Sequence, residues 1–457
     1  MRKIHVFLLV AVCLVGVFFS ARWLMQGVLL PPPAVAADAD AEHLRIGNAF
    51  LDDLDAGRYE DALARTTVEL QAGLADGKLQ KVWEALPEQL GARKTRTPLR
   101  GESIKDAPVV TSTLVFGLMA LDARIVVDAD GKISGFRLVP GSMPEEPPQS
   151  LSSDARFSES DFAVGDGARA LPGTLSLPKG DGPFAAIVLV HGSGPHDRDE
   201  SIGPNKPFRD LAHGLAERGI AVLRYEKRTK AHPEEFAAMD FTVDAETVDD
   251  AVAAVAQLRA DPRIDPSRIF VAGHSLGAMM APRIAQRAPE LAGLILLAPT
   301  GRPLQDVALE QVQYLAANDG EIDAQEQAGI DEMASKAAAV ATLSEDTPAA
   351  QTLFGLPARY WIDLRDYDPI AVARTLPQPI LVVQGGRDYQ VTASGDFALW
   401  QAAFGDDTRV RLELFPALNH LMIAGVGPSL PKEYALAGTV DAGVIDAIAG
   451  FVGAAHP

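Results

Sequence analysis

IFVAGHSLGAMMAPRIAQR, residues 269–287, changes its pattern halfway along. The first four residues are apolar without alternation, as in a strand buried on both faces. From Ala278 onward the pattern is compatible with a helix. Between the two halves stands Gly273-His274-Ser275-Leu276-Gly277, a G-x-S-x-G sequence at a strand–turn–helix junction. Such a turn needs glycine because its backbone is strained and side chains would obstruct its close contacts. It exposes the Ser275 hydroxyl at the end of a sheet and points the Leu276 N–H toward a developing oxyanion. The competing reading is a glycine-rich packing turn.

A serine hydroxyl is a poor nucleophile until a base takes its proton. In this arrangement the acid and then the histidine follow the serine along the chain. Two histidines come after Ser275, His420 and His456, and His456 is the penultimate residue. His420 directly follows the strand-like VRLELFP (410–416), where a loop would return it over Ser275. The acid should sit on a strand-end loop before it. Asp388 is the first carboxylate after the apolar run PILVV, in Gln384-Gly385-Gly386-Arg387-Asp388. Asp363, Asp366 and Asp368 precede that strand and read as solvated or capping groups. A second oxyanion donor is expected after the strand AAIVLV (185–190), where the chain reads His191-Gly192-Ser193-Gly194-Pro195. The Ser193 N–H is the choice there, with Gly194 the alternative, and His191 reads as structural.

From about residue 157 strands and helices alternate, which predicts an α/β fold with a largely parallel sheet. After Pro299 about eighty residues of helical pattern intervene before the next strand. An insertion at the carboxyl end of a strand lies over the ligand crevice, so residues 301–376 read as a cap. Tyr360, Trp361 and Tyr367 either line an acyl pocket there or pack the cap. Asp197-Arg198-Asp199-Glu200 and Arg224-Tyr225-Glu226-Lys227-Arg228 fall on strand-end loops. They read as ion pairs holding those loops, or, at Arg228, as a group recognising a polar part of a substrate.

GHSLG, HGSGP, QGGRD and LNH, in this order, resemble the α/β-hydrolase superfamily. Residues 191–229 are similar to a bacterial branch of serine esterases and dienelactone-hydrolase-like proteins. The resemblance covers about 157–457. It implies hydrolysis of a small-molecule carboxylic ester through an acyl-serine intermediate, with no cofactor or metal. Dienelactone hydrolases use cysteine where this chain has Ser275, which speaks against that substrate. The same fold houses serine peptidases of the aminopeptidase or prolyl-oligopeptidase type. A non-catalytic envelope binding protein is the third reading.

Ahead of this domain, residues 40–140 read as helices followed by antiparallel strands, a small α+β domain. The third helical segment is expected to end at Pro87, and Asp128-Ala129-Asp130-Gly131 to turn a hairpin. The AGRYEDAL stretch and the helix-then-strand order resemble the nuclear-transport-factor-like domains found before some bacterial hydrolases. Residues 141–156 form a linker rich in Pro, Ser and Glu. At the start, Arg2 and Lys3 precede a long apolar run, and Ala34-Val35-Ala36 offers a small-residue cleavage site. Residues 1–36 therefore read as a signal peptide or an uncleaved membrane anchor, placing the protein in the periplasm or outside the cell. The 457 residues carry a net charge of −20, which repels phosphate backbones and disfavours nucleic acid as a partner. Cys13, the only cysteine, lies in the apolar run, leaving no disulfide or thiolate nucleophile elsewhere.

Overall fold

The structure, a computed structural model, describes residues 41–74, 77–104, 107–141, 151, 155–348 and 351–454. The signal or anchor segment 1–36 with Cys13, most of the 141–156 linker, and His456 lie outside the described residues.

Four helices open the described chain: α1 (Ala41–Asp55), α2 (Tyr59–Ala64), α3 (Val68–Leu74) and α4 (Lys78–Leu90). On α1 the apolar residues recur at helical spacing, and Ile46, Phe50, Leu51 and Leu54 are buried by it. Helix α4 continues past Pro87, where the sequence pattern had suggested an end. A mid-helix proline removes one backbone donor, but Leu86 and Leu90 on either side of it are buried, and their packing holds the last turn. The helices cover an antiparallel sheet of β1 (Thr95–Arg96), β2 (Arg100–Ile104), β3 (Ala107–Val115), β4 (Ala120–Val127) and β5 (Ile133–Gly141). The β4–β5 hairpin turns at the expected place, with Gly131 at φ +76° and Asp128 Oδ1 accepting from the Asp130 and Lys132 N–H groups. Phe50, Leu114, Ile125 and Ile133 form a core of this domain's own.

The second sheet has eight strands: β6 (Phe157–Asp161), β7 (Gly173–Pro178), β8 (Phe184–Val190), β9 (Ala221–Tyr225), β10 (Ile264–His274), β11 (Gly293–Leu297), β14 (Ile380–Gly385) and β15 (Val410–Phe415). Their spatial order is β15-β14-β11-β10-β8-β9-β7-β6. The six strands β15, β14, β11, β10, β8 and β9 run parallel, and β7 alone runs the other way, pairing antiparallel with β9 on one side and with β6 on the other. Strands β9, β11 and β14 are buried along their whole length, which explains the apolar runs of β11 and of Ile380 to Val383 in β14; β9 is apolar except for Arg224, which is buried in ion pairs. The flanking helices include α5 (Pro207–Ala216), α6 (Arg228–Ala231), α7 (Asp249–Ala260) and α8 (Leu276–Arg287). Because β8, β10, β14 and β15 are parallel, the loops after Val190, His274, Gly385 and Phe415 all leave the same edge of the sheet.

Between β11 and β14 lie α9 (Leu304–Ala316), α10 (Ala324–Val340), a short hairpin of β12 (Thr352–Leu353) and β13 (Leu356–Pro357), α11 (Ala358–Arg365) and α12 (Pro369–Thr375). Its aromatic residues serve packing. Trp361 Nε1–H donates to the Leu353 carbonyl at 2.7 Å, and Tyr367 O–H donates to the Met279 carbonyl on α8 at 2.8 Å. After β14 come α13 (Ala398–Phe404) and, beyond β15, α14 (Ala442–Ala454). Among the described residues no helix is long and apolar enough to cross a membrane.

Candidate active site

Ser275 sits between β10 and α8 with φ +53° and ψ −114°, a conformation that non-glycine residues rarely adopt. Its N–H donates to the Leu297 carbonyl on neighbouring β11, and its carbonyl accepts from Met279 to start α8. The flanking glycines are needed for space. A Cβ on Gly273 would collide with the Gly277 backbone, and one on Gly277 with the carbonyls of Val190 and His191. Ser275 is buried, and its Oγ has no hydrogen-bond partner among the described residues. Leu276 is the first residue of α8, so its N–H is one of those without an intrahelical acceptor.

Asp388 and His420 are brought together. His420 Nδ1–H donates to Asp388 Oδ2 at 2.7 Å, with both residues buried. The other carboxylate oxygen, Oδ1, accepts from the Gln390 and Val391 N–H groups at 2.8 and 3.0 Å. Gln384, at the end of β14, donates from Nε2 to Asp388 Oδ2 at 3.2 Å. On the histidine loop Asn419 Oδ1 accepts from the Leu421 and Ile423 N–H groups, closing a tight turn around His420. His274, the residue before Ser275, donates from Nε2 to the His420 carbonyl at 2.9 Å. The turn carrying the serine and the loop carrying the histidine are thus joined directly.

The His191–Pro195 loop passes beside the serine. A Cβ on Gly192 would lie 3.2 Å from Glu200 Oε1 and 3.3 Å from Ser275 Cβ, so the loop approaches the serine closely. His191 is buried beneath the loop against Phe208 and Tyr225, and Nε2 meets the Asp197 carbonyl at 3.0 Å. Burial pushes its pKa down to about 3, which leaves it a neutral structural group. Three successive peptide groups of the loop are tied down. The Gly192 N–H donates to Glu200 Oε1 at 2.6 Å, the Gly192 carbonyl accepts from Lys227 Nζ at 2.8 Å, and the Ser193 carbonyl meets His196 Nε2 at 2.6 Å.

Glu200 also lies 2.9 Å from His274 Nδ1. Burial alone would raise the Glu200 pKa, but His274, His196 and His191 around it hold it down at about 2. Burial likewise opposes charge on His274, yet the Glu200 carboxylate outweighs it and the His274 pKa is raised. The two form a buried ion pair behind the serine.

The charged residues of the strand-end loops are engaged with one another. Arg228 grips Asp250 through Nε at 2.9 Å and Nη2 at 2.5 Å, Arg198 pairs with Glu226 at 3.0 Å, and Arg224 pairs with Glu159 and Asp199. Arg228 is therefore a loop brace rather than a group turned toward a ligand. In the insertion Asp363 pairs with Arg283, Asp366 lies beside Arg365, and Asp368 caps α12. Among the described residues no group of three or more His, Cys, Asp or Glu side chains is placed to hold a metal ion.

The alpha/beta hydrolase family profile matches residues 187–437. The chain belongs to this family and is a hydrolase. Within the family, it is 37% identical over 400 residues to esterase EstD of Thermotoga maritima, covering 88% of this chain and 93% of that one. Residues 48–136 match a family described as a protein of unknown function (DUF3887). Among solved structures it resembles an esterase of Pyrococcus furiosus, at 16% identity and a TM-score of 0.40 over 61% of this chain and 88% of that one. It also resembles a puromycin-hydrolyzing peptidase of Mycobacterium tuberculosis, at 16% identity and a TM-score of 0.43 over 76% and 46%.

Sequence reasoning overlooked His274, Gln384 and Asn419, and placed Glu200 and Lys227 only within runs of ion pairs holding the loops. All five stand inside or beside the motifs it quoted. Their signal was position alone, because a polar residue in a loop carries no mark of the burial that the fold imposes on it.

Proposed function

We propose that this protein hydrolyses carboxylic esters through an acyl-serine intermediate. The observation that carries the reading is the 2.7 Å Asp388–His420 bond on the loops beside Ser275, whose own backbone is strained at φ +53°. His420 Nε2 takes the Ser275 Oγ proton as the oxygen attacks the ester carbonyl. Asp388 holds the opposite ring nitrogen protonated and stabilises the imidazolium. Ser275 Oγ has no competing partner among the described residues and is free to bond His420 when substrate binds. The N–H groups of Ser193 and Leu276 receive the oxyanion. His420 then protonates the leaving alcohol, and water repeats the sequence on the acyl-enzyme. Every proton is held by a group of this chain or by water. The relationship to the Thermotoga maritima esterase supports an ester as the acyl donor. The charged and apolar run before residue 37 supports export, by cleavage or by anchoring.

Turnover of p-nitrophenyl esters from acetyl to palmitoyl tests the reading. Activity is expected to vanish in Ser275→Ala, by about 10⁴-fold or more. With its own first forty residues, the protein should deliver that activity to the periplasmic or membrane fraction. Turnover that survives Ser275→Ala would overturn the nucleophile, cytosolic activity would overturn export, and cleavage of aminoacyl amides instead of esters would favour the peptidase reading.

A further inference from the structure

The ester mechanism uses the Ser193 N–H but does not explain what aims it. A trans peptide points its C=O and N–H in opposite directions. The Ser193 N–H belongs to the same planar group as the Gly192 carbonyl, so fixing that carbonyl fixes the donor. The group that fixes it is Lys227, whose Nζ lies 2.8 Å from the Gly192 oxygen.

Lys227 follows β9 and is 2% exposed, an uncommon state for a lysine. Its ammonium also meets Glu246 Oε1 at 2.8 Å, and its backbone N–H donates to the His196 carbonyl at 3.0 Å, within the same loop system. Glu246 in turn accepts from Tyr360 O–H at 2.7 Å, and Tyr360 is a buried residue of cap helix α11. The connected path runs from the cap through Tyr360, Glu246 and Lys227 to the Gly192 carbonyl. On the other side of the same residue, Glu200 holds the Gly192 N–H at 2.6 Å.

We propose that Lys227 is a positioning residue for ester hydrolysis, orienting and polarising the Gly192–Ser193 peptide so that the Ser193 N–H meets the oxyanion. Two physical effects act together. The charge-assisted bond removes the freedom of the peptide plane to rotate. A cation on the carbonyl also draws electron density from the amide and strengthens its N–H as a donor. The gain appears where negative charge develops on the substrate oxygen, in the transition state rather than the ground state. Lys227 itself stays behind the loop and touches no reacting atom. Its charge is balanced by Glu246, so removing it alone would leave a buried carboxylate unpaired.

This inference rests on the ester reading, and the experiment separates the two. Wild-type turnover of p-nitrophenyl acetate and its loss in Ser275→Ala establish the nucleophile without reference to Lys227. The paired variant Lys227→Met/Glu246→Gln keeps the site neutral and is assayed below its own melting temperature. Its kcat is expected to fall about 10²–10³-fold, as for loss of one oxyanion donor, with KM nearly unchanged. Phenylboronic acid, which forms a tetrahedral anion on an active serine, should bind more weakly by a comparable factor. Should the pair not fold, Lys227→Gln, one bond shorter but still carrying an N–H donor, should show the same split at about tenfold. A folded variant with wild-type kcat and wild-type boronate affinity would overturn the proposal while leaving the esterase intact. A lower melting temperature with both constants unchanged would do the same, since it would make Lys227 a packing residue only. A wild-type protein that neither turns over the ester nor binds the boronate would overturn the ester reading, and the role of Lys227 with it.

Discussion

Behind Ser275, the Glu200–His274 pair ties the His191–Pro195 loop to the turn that carries the serine, and both of its charges depend on pH. Glu200 titrates at about 2 instead of near 4.5, so its contribution to stability is complete above 4.5 and is lost as pH falls through about 2. His274 titrates above its ordinary 6.5, so its contribution is complete below 6.5 and is lost as pH rises through the raised value. Glu200→Gln should therefore cost most between pH 4.5 and 6.5, about 3 kcal/mol as for a broken buried pair, and less on either side. Urea midpoints measured from pH 3 to 9 would show this window. A wild-type-to-variant difference that stays flat across that range would mean the pair is not ionised. This pair also marks the limit of what the sequence disclosed about the site. Ser275, Asp388 and His420 each follow an apolar strand at a parallel sheet's carboxyl edge, and that position singles them out among many similar residues. Glu200 lies in DRDE and Lys227 in RYEKR, runs that read as loop-holding ion pairs with no mark of which members are buried. Only the closing of these loops over one another buries those two residues and leaves Arg198 and Arg228 at the periphery.

Among the elements, legibility followed burial. Strands β8, β11 and β14 are covered on both faces and were visible as continuous apolar runs. The edge strand β6, FSESD, has no apolar run, because one neighbour, β7, suffices to hold it and its exposed positions stay polar. Strand β7, GTLSLP, lies between β6 and β9 and alternates only over the short stretch Thr174 to Leu177. Helix α4 was cut short at Pro87 for the converse reason: the local rule against proline was read correctly, but the buried Leu90 outweighed it. The helices of the insertion show a local signal that could have been used. Asp323 and Glu326 form a reciprocal capping box, with Asp323 accepting from the Gln325 and Glu326 N–H groups and Glu326 accepting from the Asp323 N–H. D-A-Q-E is the pattern that predicts it, and it places the start of α10 to the residue. Asp323→Ala should lower stability by about 1 kcal/mol in urea denaturation. The cap start lies on the surface, so kcat and KM for a short-chain ester should stay at wild-type values. A change in KM alone would show that the first turn of α10 shapes the entrance to the site.

On the scale of the whole molecule, the amino-terminal domain has a core of its own yet does not stand apart. Its β3–β4 turn, Phe116 to Met119, reaches the loops of the second domain. Leu118 packs against a cluster of Leu315, Tyr389, Leu421 and Tyr434, in which Tyr389 directly follows Asp388 and Leu421 directly follows His420. Gly203, in the loop after Glu200, meets the same turn with φ +58°, and a Cβ there would lie 2.7 Å from the Gly117 carbonyl and 2.8 Å from that of Tyr434. Asn205 fastens this junction by donating to the Tyr434 carbonyl at 2.8 Å and accepting from the Gly438 N–H at 2.8 Å. One small contact therefore touches the loops that carry Glu200, Asp388 and His420 at once. Leu118→Asp should replace about 1.5–3 kcal/mol of apolar burial with a carboxylate that has to stay in water, and so undock the domain. The separate core of the amino-terminal domain predicts that the undocked domain remains folded. Calorimetry should then resolve two transitions where the wild type shows coupled unfolding. Ester turnover should fall several-fold as Tyr389 and Leu421 lose their backing. Two transitions with full turnover would mean that the domain is only tethered to the catalytic loops; an unchanged single transition would mean that Leu118 carries none of the docking.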